Sequence, residues 1–176
     1  MIDIAEYLEA FCKENDLVLV LSYDMPIGYE SAYGTYDCTT NTIYINLELI
    51  QHAPTYEVLF YLFHELRHAL QYCHTERFDP QIQKSIFYVI LYNGVCYKLN
   101  KNNWLTCTLK GNEEYFTAAY LNLAYEVDAN RYAYTKVKEL CGESCELQEL
   151  YNFWMPKVPF ADDEYDKLFK KIDENT

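Results

Sequence analysis

Residues 55–73 read TYEVLFYLFHELRHALQYC. Leu59, Leu62, Phe63, Leu66, Ala69, Leu70 and Cys73 recur at intervals of three and four, which lays one apolar stripe along an α-helix of about five turns. Thr55, just after Pro54, is placed to cap this helix, with Val58 at its third position, so no capping box forms. Inside the helix lies His64-Glu65-Leu66-Arg67-His68. Residues four apart share a helix face one turn apart. The two imidazoles can therefore reach a single metal ion, at about 2.0–2.1 Å from each nitrogen if the ion is zinc. Glu65 stands beside such an ion without easily joining it, which suits a base acting on water. Both histidines lie off the apolar stripe, on the side of Tyr61 and Gln71. The stripe is expected to anchor the helix while the opposite face lines a cleft.

Catalytic zinc keeps three protein ligands and one open position. His74 is six residues beyond His68 and points away from the metal face. His52 precedes Pro54 and reaches the site only by folding back. The better third ligand is Glu126, in YEVDANRYA at 125–133. Ala129 and Ala133 would let this second helix approach closely. Asn130, four residues on, shares the face of Glu126, and its side-chain oxygen is placed to accept a hydrogen bond from a ligand imidazole and fix its orientation. Asp128 is the rival ligand, pointing about 200° around the helix from Glu126.

Outward from these two helices the chain reads as α+β, mostly helical, with a small N-terminal β-sheet packed on the helix that bears the motif. Residues 3–14 carry apolar groups at Ile4, Leu8, Phe11 and Cys12, one face of a helix. The run LVLVL at 17–21 fits a buried strand. Residues 24–35 hold Pro26, Gly28 and Gly34 and read as loop. Two β-prone runs flank Thr39, Thr40 and Asn41 as a hairpin, with Ile43 and Ile45 on one side and Tyr44 and Asn46 on the other. Asp79 and Pro80 start a helix through Ile82, Ile86, Val89, Ile90, Cys96 and Tyr97, apolar on most sides and so buried. Residues 100–113 are polar and irregular. A long helix covers about 114–140, with Gly142 just past its end. A short charged amphipathic helix near 162–172 follows Pro156 and Pro159.

The chain has 176 residues, 51% hydrophobic and 17% aromatic, enough for one substantial core, so a single domain over 1–176 is expected, with 156–176 peripheral. Its 27 acidic and 14 basic residues give a net charge of -13. Such a surface repels phosphate backbones and anionic lipid, which argues against nucleic acid and membrane as partners. The start, MIDIAEYLEAF, shows no secretory signal. Seven cysteines then read as free, buried or half-buried thiols of a cytoplasmic protein. Cys141 and Cys145, in CGESC, form the one close pair but have no second pair to complete a zinc ribbon.

HELRHALQ (64–71) and YEVDANRYA (125–133) together resemble the zincin metallopeptidases whose glutamate ligand lies on a later helix, in particular the small bacterial and phage-type ImmA/IrrE-like family. The resemblance covers fewer than twenty residues, and the hairpin before the first helix follows the family's order. It implies a zincin-like fold, one Zn2+ per chain held by His64, His68 and Glu126, and Glu65 as catalytic base. The implied activity is hydrolysis of peptide bonds in a protein or peptide by metal-activated water, with Glu65 taking the proton and passing it to the leaving amine. Tyr61, Tyr125 and Tyr132 lie near enough in sequence to serve as oxyanion donor. The hairpin arm at 42–46 could offer an edge to an extended peptide. The competing reading is a metal-binding but catalytically inactive interaction protein of the same fold.

Overall fold

Asp3 starts helix α1 (Ile4–Asn15): its carboxylate accepts from the amides of Ala5 and Glu6 at 3.1 and 3.2 Å. The face carrying Ile4, Leu8 and Phe11 is buried. The structure is a computed structural model that describes residues 2–101 and 103–176. Its contacts group the chain into two compact units, one of residues up to 77 with 128–153, the other of 78–127 with 154–176.

In the first unit, β1 (Val20–Ser22), β2 (Gly34–Asp37) and β3 (Thr42–Ile45) form a sheet in the order β1-β3-β2. β3 runs parallel to β1 and antiparallel to β2. The hairpin turns where Asp37 accepts from Thr39 and Thr40 and Asn41 takes a φ of 53°. Ile43 and Ile45 are fully buried, as their alternation predicts. The run at 17–21 is not a buried strand. Leu17 is buried, but Val18 and Val20 are 86% and 56% exposed. β1 is an edge strand with one open face, and a continuous apolar run does not distinguish that from a core strand.

Asn46 caps the short α2 (Leu47–Ile50), and α3 (Thr55–Cys73) follows. The cap of α3 is Pro54, with no side-chain bond, and Thr55 is already helical. Leu59, Leu62, Phe63, Leu66, Ala69 and Leu70 are buried as expected, whereas Cys73 at the last position of the helix is exposed. A 3-10 turn (Thr75–Arg77) closes this stretch. Helix α6 (Ala124–Cys141) has its first residues, 124–127, in the second unit and the rest in the first. It ends at Gly142, whose φ of 83° and amide bond to Lys138 make the expected terminator. α7 (Cys145–Trp154) comes next.

The second unit departs most from the sequence reading. α4 (Pro80–Ser85), capped by Asp79, stops after six residues. β4 (Tyr88–Ile90), β5 (Val95–Asn100) and β6 (Asn103–Thr108) then form an antiparallel sheet where a buried helix and an irregular segment were expected; Asn102 of that segment lies outside the described residues. The turn between β4 and β5 requires Gly94. Its φ is 83°, and a Cβ there would sit 2.7 Å from the Leu109 carbonyl and 2.8 Å from the Phe116 ring. The expected helix over 114–140 is two helices, α5 (Glu113–Asn122) and α6, separated by Leu123 at ψ 128°. Asn122 explains the break. Its amide nitrogen donates to the carbonyls of Ala118 and Val158, and its oxygen accepts from the Phe160 amide at 2.8 Å. Tyr165 donates to the Asn122 carbonyl as well. α8 (Asp162–Asn175) buries Leu168, Phe169 and Ile172, with Phe169 stacked on Tyr88 at 4.1 Å.

Candidate metal centre

His64 and His68 lie one turn apart on α3, and their Nε2 atoms stand 2.9 Å from each other with the rings nearly perpendicular. Glu126, in the first turn of α6, completes the group: one ligand atom from each of His64, His68 and Glu126 lies within 4.8 Å of the other two. His68 and Glu126 are buried, at 7% and 5% exposure, and His64 is half-buried. These three side chains can hold a metal ion. Two imidazoles and a carboxylate are a donor set of catalytic zinc sites, in which a fourth position stays open. Two nitrogens on a tetrahedral ion at about 2.0–2.1 Å stand roughly 3.3 Å apart, so the pair needs to open by only a few tenths of an ångström.

The state of His68 follows from its neighbours. Arg67 donates to Asp128 through Nε at 2.7 Å and Nη2 at 3.0 Å, a bidentate pair. The ionised Asp128 can only accept, so it is the Gln71 amide nitrogen that donates to its Oδ2, at 2.8 Å. The Gln71 oxygen then faces His68 Nδ1 at 2.9 Å, so Nδ1 carries the proton. The lone pair of His68 is thereby left on Nε2, the atom turned towards His64. Arg67 is held in turn over the Tyr132 ring at 4.7 Å. Burial pushes the Tyr132 hydroxyl up to about 12, although Arg67 pulls the other way.

Glu126 is steadied from α5, where the Tyr120 hydroxyl donates to its Oε2 at 3.1 Å. Tyr120 precedes Glu126 by six residues, about 120° around and nearly two turns along an unbroken helix, and meets it because the chain turns at Leu123. Ala129 and Ala133 are fully buried, and Asn130 is buried one turn beyond Glu126. Glu65 is 7% exposed and lies against Gly34 of β2, where a Cβ would fall 3.0 Å from its Cγ. Tyr33, just before Gly34, stacks on Tyr61 at 4.2 Å.

The sequence reading named His64, His68, Glu126, Glu65 and Asn130, and gave no supporting role to Arg67, Gln71, Tyr120 or Asp128. Asp128 is not a ligand rival but the anchor of Arg67 and Gln71. Tyr120, which was not among the three tyrosines singled out, meets a member of the metal group. Gln71 had a legible signal, since it lies three residues from His68 on the face already expected to line the cleft. The hairpin arm at 42–46 cannot take up a peptide, because β3 is the central strand and both its edges are used. Comparison of the chain with protein-family models, curated proteins and solved structures finds no match.

Replacing Gln71 by leucine keeps most of the side-chain volume and removes the acceptor that fixes His68. Metal affinity is expected to fall about 10- to 100-fold, the usual effect of losing such an outer partner. Competition with a chromophoric chelator reads this directly; an unchanged affinity would mean that Gln71 does not orient His68.

Proposed function

We propose that the chain is a zinc-dependent peptidase acting on proteins or peptides, with Glu65 as its general base. The supporting observation is the meeting of His64, His68 and Glu126, with the acidic Glu65 next in sequence to one of them and buried. Zinc, when bound there, supplies Lewis-acid polarisation of a carbonyl and an acidified water. His68, held by Gln71, presents Nε2 to the ion, and Glu126, held by Tyr120, presents its carboxylate. Asn130, buried one turn from Glu126, is assigned the same orienting role towards a ligand imidazole. Glu65 accepts a proton on its carboxylate and returns it to the leaving amine.

The sheet supplies a place for the substrate. The Asn46 amide bonds to the Tyr33 carbonyl at 2.9 Å, so residues 33, 35 and 37 face β3 and the peptide groups of Gly34 and Tyr36 point away from it. β2 is an edge strand, and Gly34 lies against Glu65. An extended peptide added along β2 would bring its backbone beside the proposed base, the geometry of strand addition.

Elemental analysis and a cleavage assay test this reading. Protein purified without a histidine tag is expected to carry about one zinc per chain. It should cleave members of a fluorogenic peptide library, lose that activity on dialysis against a chelator and regain it with zinc. Zinc retained without cleavage would leave a non-hydrolytic metal-binding protein. Cleavage indifferent to chelation would exclude a metal-dependent mechanism.

A further inference from the structure

Cys96 and Cys107 face each other across the β5–β6 ladder. The Leu109 amide bonds to the Gly94 carbonyl at 2.9 Å, which makes 94 and 109 a hydrogen-bonded pair and, two residues along, 96 and 107 another. Directly opposed residues in such a pair have Cα atoms about 5.5 Å apart, within the range that a disulfide spans. Their side chains point to the same side of the sheet, and the Cys96 thiol donates to the Gly94 carbonyl at 3.5 Å. Cys96 is completely buried and Cys107 half-buried. Burial pushes the Cys96 thiol up to about 12, and the neighbouring Cys107 adds to this. Burial also raises Cys107, with the neighbouring Cys96 pulling the other way. Cys107 is therefore the thiol of the pair that meets solvent.

We propose that Cys96 and Cys107 are a thiol pair that closes into a reversible cross-strand disulfide on contact with a small disulfide oxidant such as oxidised glutathione. The Cys107 thiolate attacks one glutathione sulfur, forming a mixed disulfide and releasing one glutathione thiolate, which takes up a proton. Cys96 gives its proton to solvent and attacks the Cys107 sulfur, forming the Cys96–Cys107 bond and expelling the second glutathione. Two protein thiols are oxidised, and one glutathione disulfide is reduced to two thiols. Burial withholds the thiolate form from both cysteines, so the reduced state gains little from ionisation. Closure is then slow. None of this depends on the metal centre.

The test treats the native full-length chain with oxidised glutathione, alkylates the remaining thiols under denaturing conditions and maps tryptic peptides. Lys98 and Lys101 lie between the two cysteines, so trypsin leaves them on separate peptides joined only by the new bond. The expected result is that linked pair, with the loss of two hydrogens and a rise in melting temperature on the order of 5 °C that a reductant reverses. Cys107→Ser should show neither change, and the double variant Cys141→Ser/Cys145→Ser should show both. Glutathione persisting on Cys107 while Cys96 is still alkylated would overturn the proposal. So would a bond joining a different pair in its place, or an inert Cys107 in protein whose exposed Cys141 has reacted.

Discussion

Glu65→Gln is expected to bind zinc as the wild type does, to melt within about 2 °C of it, and to cleave peptides 10²- to 10⁴-fold more slowly. The magnitude is that of a positioned general base, about 3–5 kcal/mol of barrier at 1.36 kcal/mol per factor of ten. Fold and metal should survive for separate reasons. Glutamine has the shape of glutamate, so the contact with Gly34 at the start of β2 is kept. Glu65 is not among the three side chains whose ligand atoms converge. Replacing a side chain that is only 7% exposed by a neutral one of equal size also removes the cost of keeping a carboxylate away from water. Rate, metal content and melting are thus predicted to part company, which general damage to the fold could not produce. A variant that cleaves within tenfold of wild type would remove Glu65 from the proton-transfer role. One that loses zinc would mean that its carboxylate supports the metal instead.

The same residues show what a sequence can and cannot disclose here. The helix at 55–73 was legible because its apolar period is long and its two histidines fall at helical spacing. Glu126 could be placed because small residues, Ala129 and Ala133, mark the side on which its helix is buried. The sheet of β4, β5 and β6 was missed because 86–99 is apolar in nearly every position, and periodicity cannot separate a buried helix from buried strands in such a run. Asn93-Gly94 was the deciding signal. That dipeptide favours a hairpin, and Gly94 takes the positive φ that such a turn needs. The break at Leu123 had no local signal, because it is imposed by bonds from Asn122 to residues 158 and 160. The contact of Tyr120 with Glu126 was hidden for the same reason. Cys96 and Cys107 could not be seen as a pair while one was placed in a helix and the other in a loop. Gln71 and Asp128 meet across 57 residues, a separation on which the periodicity of either helix is silent.

His68→Ala is expected to weaken zinc binding by two to three powers of ten. Four-ligand structural sites bind zinc with roughly 10–16 kcal/mol, so one ligand's share is about 3–4 kcal/mol. That exceeds the 10- to 100-fold loss expected for Gln71→Leu, as it should if Gln71 acts only by holding His68. The two substitutions together make the sharper statement. With His68 gone, the Gln71 oxygen has no imidazole to orient, so adding Gln71→Leu to His68→Ala should leave zinc affinity where the single histidine variant put it. Independent sites would instead sum their losses, and the difference is the coupling energy of the pair, about 1.4–2.7 kcal/mol for a 10- to 100-fold effect. Arg67 and Asp128, paired at 2.7 Å, are untouched by either substitution and are expected to stay paired in all three variants, which limits changes in stability. Melting should therefore follow zinc occupancy, falling most at zinc concentrations that saturate the wild type but not the variant. If the Gln71 effect survives in the His68→Ala background, Gln71 reaches the metal by some route other than His68, and the tautomer inferred from its amide would be wrong.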